Sequence, residues 1–232
     1  MTTSPIATMF DSISPKYDAL NHLLSLNIDK VWRRKTARAV AKNHPNTILD
    51  LATGTADLAI ALARRNPQAH IIGMDFSEKM LEIGKEKVAK YGLESQIDLQ
   101  PGDAAALPFE DNSFDAVTVA FGIRNFEFLE LCLNEICRVL KPDGMLFVLE
   151  FSLPEKFPIK QVYQLYFKHI LPKIGKWVSK DENAYSYLPK SVEKFPKPDL
   201  FRTILTTFNL HHCKVKPLTF GIATLYSAEK LG

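Results

Sequence analysis

The sequence predicts an α/β fold built on a mostly parallel sheet, and three observations carry that prediction. From Thr47 to Phe151, short apolar runs alternate with helix-length stretches, the pattern of consecutive βαβ units. The run Asp115-Ala-Val-Thr-Val-Ala-Phe121 is of the kind expected for a strand buried on both faces. The first run, Thr47–Leu51, ends in a turn of small residues, Ala52-Thr-Gly-Thr-Ala56. That turn leads into the apolar stretch Leu58–Ala63, giving a strand, a tight turn and a helix in succession.

The chain's 232 residues are ample for a single core, and 46% hydrophobic content is ordinary for a globular chain. No apolar run reaches the roughly 18 residues that a membrane span needs. The N-terminus carries no basic-then-apolar signal pattern. Cys132, Cys137 and Cys213 give neither a disulfide framework nor metal-ligand spacing, so we expect a reducing, cytoplasmic setting. Residues 1–150 hold 16 Lys/Arg against 20 Asp/Glu, a net −4, whereas residues 151–232 hold 13 against 6, a net +7. The basic C-terminal third is read as a solvated face or as a surface for anionic lipid or nucleic acid.

In chain order, residues 1–45 form an N-terminal arm. It is read as packed on the domain or as a lid in which Tyr17 supplies a ring and a hydroxyl. Val31–Asn43 is a basic amphipathic helix stopped by Pro45, with Arg33-Arg34-Lys35 on its solvated face. Strands are expected at 47–51, 70–74, 96–100, 114–120 and 144–151, and helices near 56–65, 77–91 and 126–140. Lys141-Pro-Asp-Gly144 is a turn that stops a helix and starts a strand. Residues 154–196 interrupt the sheet with Phe157, Tyr163, Tyr166, Phe167, Trp177 and Tyr185 among lysines. Pro172 and Gly175 break this stretch into short helices. It is either core or a cap over an apolar substrate tail that also seats the protein on anionic headgroups. A helix and two strands, near 208–216 and 220–228, close the chain. His211-His212 are structural, without a third ligand at useful spacing. No nucleophile elbow, Walker turn, zinc pattern or internal repeat is present.

Ligands in such sheets sit outside the carboxyl ends of the strands. Gly54 and Thr55 follow the first strand, Asp75 the second, Asp103-Ala104 the third and Arg124-Asn125 the fourth, while Glu150 ends the fifth. Asp75 lies 21 positions after Gly54, where nucleoside-binding folds keep the acid that accepts ribose hydroxyls. The turn lacks the Gly-x-Gly-x-x-Gly of NAD proteins. Counted from Asp50, it lines up with the acid-x-Gly-x-Gly-x-Gly turn of S-adenosylmethionine-dependent methyltransferases, with Ala52 and Ala56 where the outer glycines would stand. Asp103 is read as a contact to an adenine amino group or as an Asx turn. Arg124-Asn125 is read as a polar clamp on an oxygen-bearing substrate, or as a salt bridge and a helix cap.

Five segments together resemble the ubiquinone/menaquinone biosynthesis C-methyltransferase family over nearly the whole length. They are Phe10–Asn21, Leu49–Asp57, Gly73–Met80, the middle block with Phe121-Gly-Ile-Arg124-Asn125, and Tyr185–Ser191 with Phe195-Pro196. The resemblance implies a class I methyltransferase sandwich, Rossmann-like, with a mostly parallel seven-stranded sheet and a helical insertion, as one domain over 1–232. It implies S-adenosylmethionine as cofactor, with Gly54 in the cofactor turn, Thr55 by its methionine end, Asp75 on its ribose and Asp103-Ala104 by its adenine. Ala120 stands where some members place a cofactor-contacting serine. The implied reaction is carbon methylation of a reduced polyprenyl quinone ring. Arg124, Asn125 and Tyr17 would be catalytic, no metal is needed, and demethylmenaquinol is favoured over the ubiquinone precursor. The implied partner is a polyprenyl quinol and not a nucleic acid, since no Asn/Asp-Pro-Pro-Tyr block follows the fourth strand. Weak peripheral contact with the inner face of a membrane and a homodimer fit the same picture. The alternatives are a methyltransferase for another small aromatic or sterol-like lipid, and a non-catalytic cofactor-binding subunit of a quinone-biosynthesis complex.

Overall fold

The structure is a computed structural model. It describes residues 27–165 and 182–232 together with Ser14, His22 and Ser25, with backbone alone at 164, 182–186 and 188. Tyr17, most of the Phe10–Asn21 segment, the side chain of Tyr185 and the stretch holding Tyr166, Phe167, Pro172, Gly175 and Trp177 lie outside the described residues.

Helix α1, Ile28–Val40, starts three residues earlier than the periodicity predicts, and a 3-10 turn, Ala41–Asn43, continues it. Asp29 in its first turn complements the helix dipole. Trp32, Thr36, Ala37 and Val40 form the buried face. Arg33 is buried with them rather than solvated, because two carboxylates described below meet its charge.

Strand β1, Thr47–Leu51, leads to α2, Asp57–Ala63. Then come β2, His70–Asp75, α3, Glu78–Lys90, and β3, Ile97–Pro101. Ser77 caps α3 by accepting the Met80 N–H. Strand β4, Phe114–Ala120, is followed by α4, Leu129–Val139, and β5, Leu140–Phe151. The described helices beyond it are α5, Ile159–Leu165, α6, Glu182–Lys194, and α7, Pro198–Thr207. Strands β6, Leu210–Leu218, and β7, Ala223–Lys230, close the sheet.

The seven strands lie in the order β3-β2-β1-β4-β5-β7-β6. All pairings from β3 to β5 are parallel, and β7 runs antiparallel to both its neighbours. Successive residues point to opposite faces. Leu49 and Val117 join Ile136 and Phe201 in one core layer, while Ile48 and Ala116 join Ala37, Val40 and Leu62 in the other. The strand order reverses between β1 and β4, so the carboxyl ends of those two strands frame the crevice.

Two boundaries differ from the sequence expectation for backbone reasons. Lys141–Gly144 is an excursion inside β5, where pairing with β4 jumps from Phe114↔Leu140 to Ala116↔Met145 and Asp143 has φ 61°. Phe220, expected to open the last strand, lies instead in the 3-10 turn Thr219–Gly221 with φ 59°, a value that strand pairing does not accommodate.

Candidate active site

The turn after β1 keeps its glycine-type backbone without the outer glycines. Ala52, Gly54 and Ala56 all have left-handed φ, 50°, 57° and 64°, which costs an alanine about 1–2 kcal/mol. A dense set of hydrogen bonds holds the turn. Thr53 N–H donates to the Met74 carbonyl at 3.0 Å and Ala56 N–H to the Thr53 carbonyl at 3.0 Å. Asp50 anchors it from below. Its carboxylate accepts from Thr53 Oγ1 and Thr118 Oγ1, each at 2.6 Å. Burial pushes the Asp50 carboxyl up to about 6, against the pull of those two hydroxyls and of Arg33. Among the described residues, a Cβ built on Gly54 would meet nothing within 4 Å, so the crest of the turn is clear of them.

Asp75 closes the other side. One carboxylate oxygen accepts the Gly54 N–H at 2.7 Å and the other the Ser77 N–H at 2.9 Å. The Gly54 N–H therefore ties the turn to Asp75. Asp103 is exposed and accepts the Ala105 N–H at 2.9 Å, which is an Asx turn, and Ala104 packs against the core. Thr55 is buried with its hydroxyl 3.2 Å from Lys87 Nζ on α3, so it contacts the helix behind the turn.

Arg124 and Asn125 sit in a 3-10 turn, Ile123–Asn125, beyond β4. Arg124 Nη1 donates to Glu150 Oε1 at 2.7 Å and to the Phe121 carbonyl at 2.6 Å, and Nε to Ser191 Oγ at 3.3 Å. Its guanidinium lies 5.4 Å from the centroid of the Phe151 ring. The Glu150 side chain is fully buried and that of Arg124 is 6% exposed. Burial raises the Glu150 carboxyl above its ordinary range, although Arg124 opposes the shift. Among the described residues the remaining guanidinium nitrogen, Nη2, has no partner. Asn125 Oδ1 accepts the Tyr187 hydroxyl at 2.8 Å. Sequence reasoning placed Glu150 at this edge without pairing it. It missed Ser191 and Tyr187 as partners, since they lie 67 and 62 residues along the chain from Arg124 and Asn125.

Gly122 joins the two halves of the crevice. A Cβ there would fall 2.4 Å from the Ala52 methyl, so the alanine in the β1 turn requires the glycine after β4. Behind the turn, Asp57 meets Lys87, Arg33 at 4.0 Å and His22 at 3.7 Å. Asp29 meets Arg33 and His22. Burial raises both carboxyls, yet Arg33 with Lys87 or Ser25 holds each below the usual range. These cations meet the charge of the grouping His22–Asp29–Asp57, whose ligand atoms lie within 4.8 Å of one another.

The family model for the ubiE/COQ5 methyltransferase family matches residues 2–230. A demethylmenaquinone methyltransferase of Bacteroides fragilis is 46% identical over 225 residues, covering 97% of this chain and 92% of its own. A ubiquinone/menaquinone biosynthesis C-methyltransferase of Geotalea daltonii is 44% identical, covering 97% and 96%. Among solved structures, a SAM-dependent methyltransferase from Aquifex aeolicus superimposes with a TM-score of 0.61 at 18% identity, covering 84% of this chain and 89% of its own.

Proposed function

The chain belongs to the ubiE/COQ5 methyltransferase family, and from that membership we propose that it methylates a ring carbon of demethylmenaquinol. It is an S-adenosylmethionine-dependent methyltransferase of quinone biosynthesis. The observation that carries the menaquinone branch is the 46% identity to a demethylmenaquinone methyltransferase over 97% of the chain. The ubiquinone precursor is the second reading, favoured by a relative whose name covers both quinones. We read the chain as one domain, with 1–45 as an arm and 154–196 as a cap.

The crest at Gly54 and the Asp75 carboxylate at the end of β2 fit the cofactor, with Gly54 in the turn against it, Thr55 by its methionine end, Asp75 holding the ribose and Asp103-Ala104 bordering the adenine. When bound, S-adenosylmethionine supplies a methyl group already activated on a sulfonium. The protein must then present a nucleophilic ring carbon in line with that methyl at about 3–3.5 Å. The ring hydroxyl gives its proton to water beside Arg124, whose Nη2 stabilises the resulting phenolate, and this makes the adjacent ring carbon nucleophilic. Glu150 and Ser191 fix the guanidinium plane for this contact. Asn125, its carbonyl held by Tyr187, offers its amide N–H groups to the substrate. With the cofactor bound, the ring carbon would be placed to take that methyl group, the leaving sulfur keeping the bonding pair. The ring carbon then loses its hydrogen as a proton to water, directly or through the hydroxyl of Tyr17 or Tyr185, and aromaticity returns.

The substrate carries a polyprenyl tail, so weak peripheral contact with an inner membrane face belongs to this reading. Among the described residues no helix is long and apolar enough to cross a membrane. The test is transfer of labelled methyl from S-adenosylmethionine to reduced demethylmenaquinone beside the reduced ubiquinone precursor. Label in the menaquinol establishes the reading. Label only in the ubiquinol precursor moves the pathway, and label in neither, with cofactor bound, refutes it.

A further inference from the structure

The segment after β5 leaves the active site and becomes an apolar surface. Glu150 and Phe151 contact Arg124. Two residues on, Leu153 is half-exposed, and Phe157, Val162 and Leu165 are 81%, 61% and 60% exposed. The Lys160 N–H donates to the Lys156 carbonyl at 2.9 Å and the Val162 N–H to the Pro158 carbonyl at 3.2 Å. The helix that begins there sets Val162 and Leu165 on one face. The β6–β7 turn is tied to the base of this segment, because Ser152 Oγ donates to the Gly221 carbonyl at 2.8 Å and Ser152 N–H to the Ile222 carbonyl at 3.0 Å. That turn carries Phe220, 77% exposed, with φ 59°. Large side chains grouped this way on a surface mark an interaction site.

Resting on the reading of a polyprenyl quinol substrate, we propose that Leu153, Phe157, Val162, Leu165 and Phe220 form a wedge that inserts into an anionic bilayer at the mouth of the active site. Charge selects this occupant over a second copy of the chain. Lys156 and Lys160 are exposed on the same segment beside one exposed acid, Glu155, which itself meets Lys197 at 3.9 Å, and the chain beyond residue 150 carries a net +7. Two such faces brought together would set a net positive charge against its like, whereas anionic headgroups neutralise it. Aromatic and aliphatic side chains flanked by lysines are the composition of an interfacial anchor. The wedge spares the substrate from leaving the lipid, since only its ring has to reach Arg124.

The test compares the full-length wild type with Phe157→Asp/Phe220→Asp. Both side chains are exposed, and aspartate tolerates the left-handed φ at 220 better than phenylalanine does, so the fold survives, as unchanged melting verifies. Partitioning onto phosphatidylcholine vesicles containing phosphatidylglycerol should fall about ten- to hundredfold. Transfer to long-tailed demethylmenaquinol in those vesicles should fall with it, while transfer to a short-tailed quinol in buffer stays at the wild-type rate. Lys156→Glu/Lys160→Glu should abolish the preference for vesicles containing phosphatidylglycerol. Equal partitioning of wild type and variant overturns the proposal. So does a wild-type dimer in light scattering that the aspartate variant converts to monomer, since a second copy would then cover this face. A wild type that binds vesicles yet methylates neither quinol refutes the substrate reading and leaves the docking surface standing.

Discussion

Replacing Arg124 by alanine should destabilise the protein as well as stop turnover, and the size of the first effect follows from the burial of its partner. Arg124 and Glu150 meet at 2.7 Å with side chains 6% and 0% exposed. Without the guanidinium, the Glu150 carboxylate keeps the Phe151 N–H at 2.8 Å and a long bond from the Arg124 N–H at 3.4 Å. Leaving one member of a buried pair uncompensated costs about 3–5 kcal/mol. In a chain of this size, each kcal/mol is worth about 2–4 °C, so the melting temperature should fall by about 6–20 °C. Burial already raises the Glu150 carboxyl against Arg124's pull, and losing Arg124 raises it further. A carboxyl raised in the folded state gives stability at low pH that is lost as pH rises through its folded value. The deficit of Arg124→Ala relative to wild type should therefore shrink as pH is lowered. Glu150→Gln added to Arg124→Ala removes the stranded charge and should recover most of the melting temperature but none of the turnover, while cofactor affinity stays near wild type in both variants. Thermal melting followed by circular dichroism, paired with the labelled-methyl assay, reads all of these. A single variant that melts within about 2 °C of wild type, or a double variant no more stable than the single, would refute the reasoning, and wild-type turnover in either would remove Arg124 from the chemistry.

Asp75→Ala should weaken S-adenosylmethionine binding by about tenfold or more in calorimetry, since it removes the carboxylate bonded to Gly54 and Ser77, which we propose as the ribose acceptor; unchanged affinity counts against the ribose contact. Asp50 is raised to about 6, so its contribution is fully present below about 3.8 and lost as pH rises through about 6. Wild type should therefore lose stability relative to Asp50→Asn between pH 5 and pH 7, and parallel melting curves across that window would contradict the buried, raised carboxyl. Gly122→Ala should destabilise the crevice, because its methyl would lie 2.4 Å from that of Ala52. Adding Ala52→Gly should restore the melting temperature, and a double variant as unstable as the single would show that the contact is not the cause.

The alternating apolar runs were enough to place the strands within a few residues, and the spacing of Gly54, Asp75, Asp103 and Arg124 was enough to put them at one sheet edge. These features depend on local chain geometry and on the period of side-chain orientation, which neighbouring residues carry. The Ala-Thr-Gly-Thr-Ala turn was likewise legible as a sharp bend. Its left-handed alanines were not, because Ala52 and Ala56 adopt that backbone only under the hold of Asp50, Met74 and Asp75. The same limit applies to charge. Arg33 reads in sequence as one of three solvated cations, and Arg124 as either a substrate clamp or one half of a salt bridge with no partner named. Folding brings Asp29 and Asp57 to the first, and Glu150 and Ser191 to the second. Whether a charge is free, paired or stranded depends on through-space distance and on the water removed around it. Residues far apart in the chain fix both, so the tertiary structure alone decided how the site is charged.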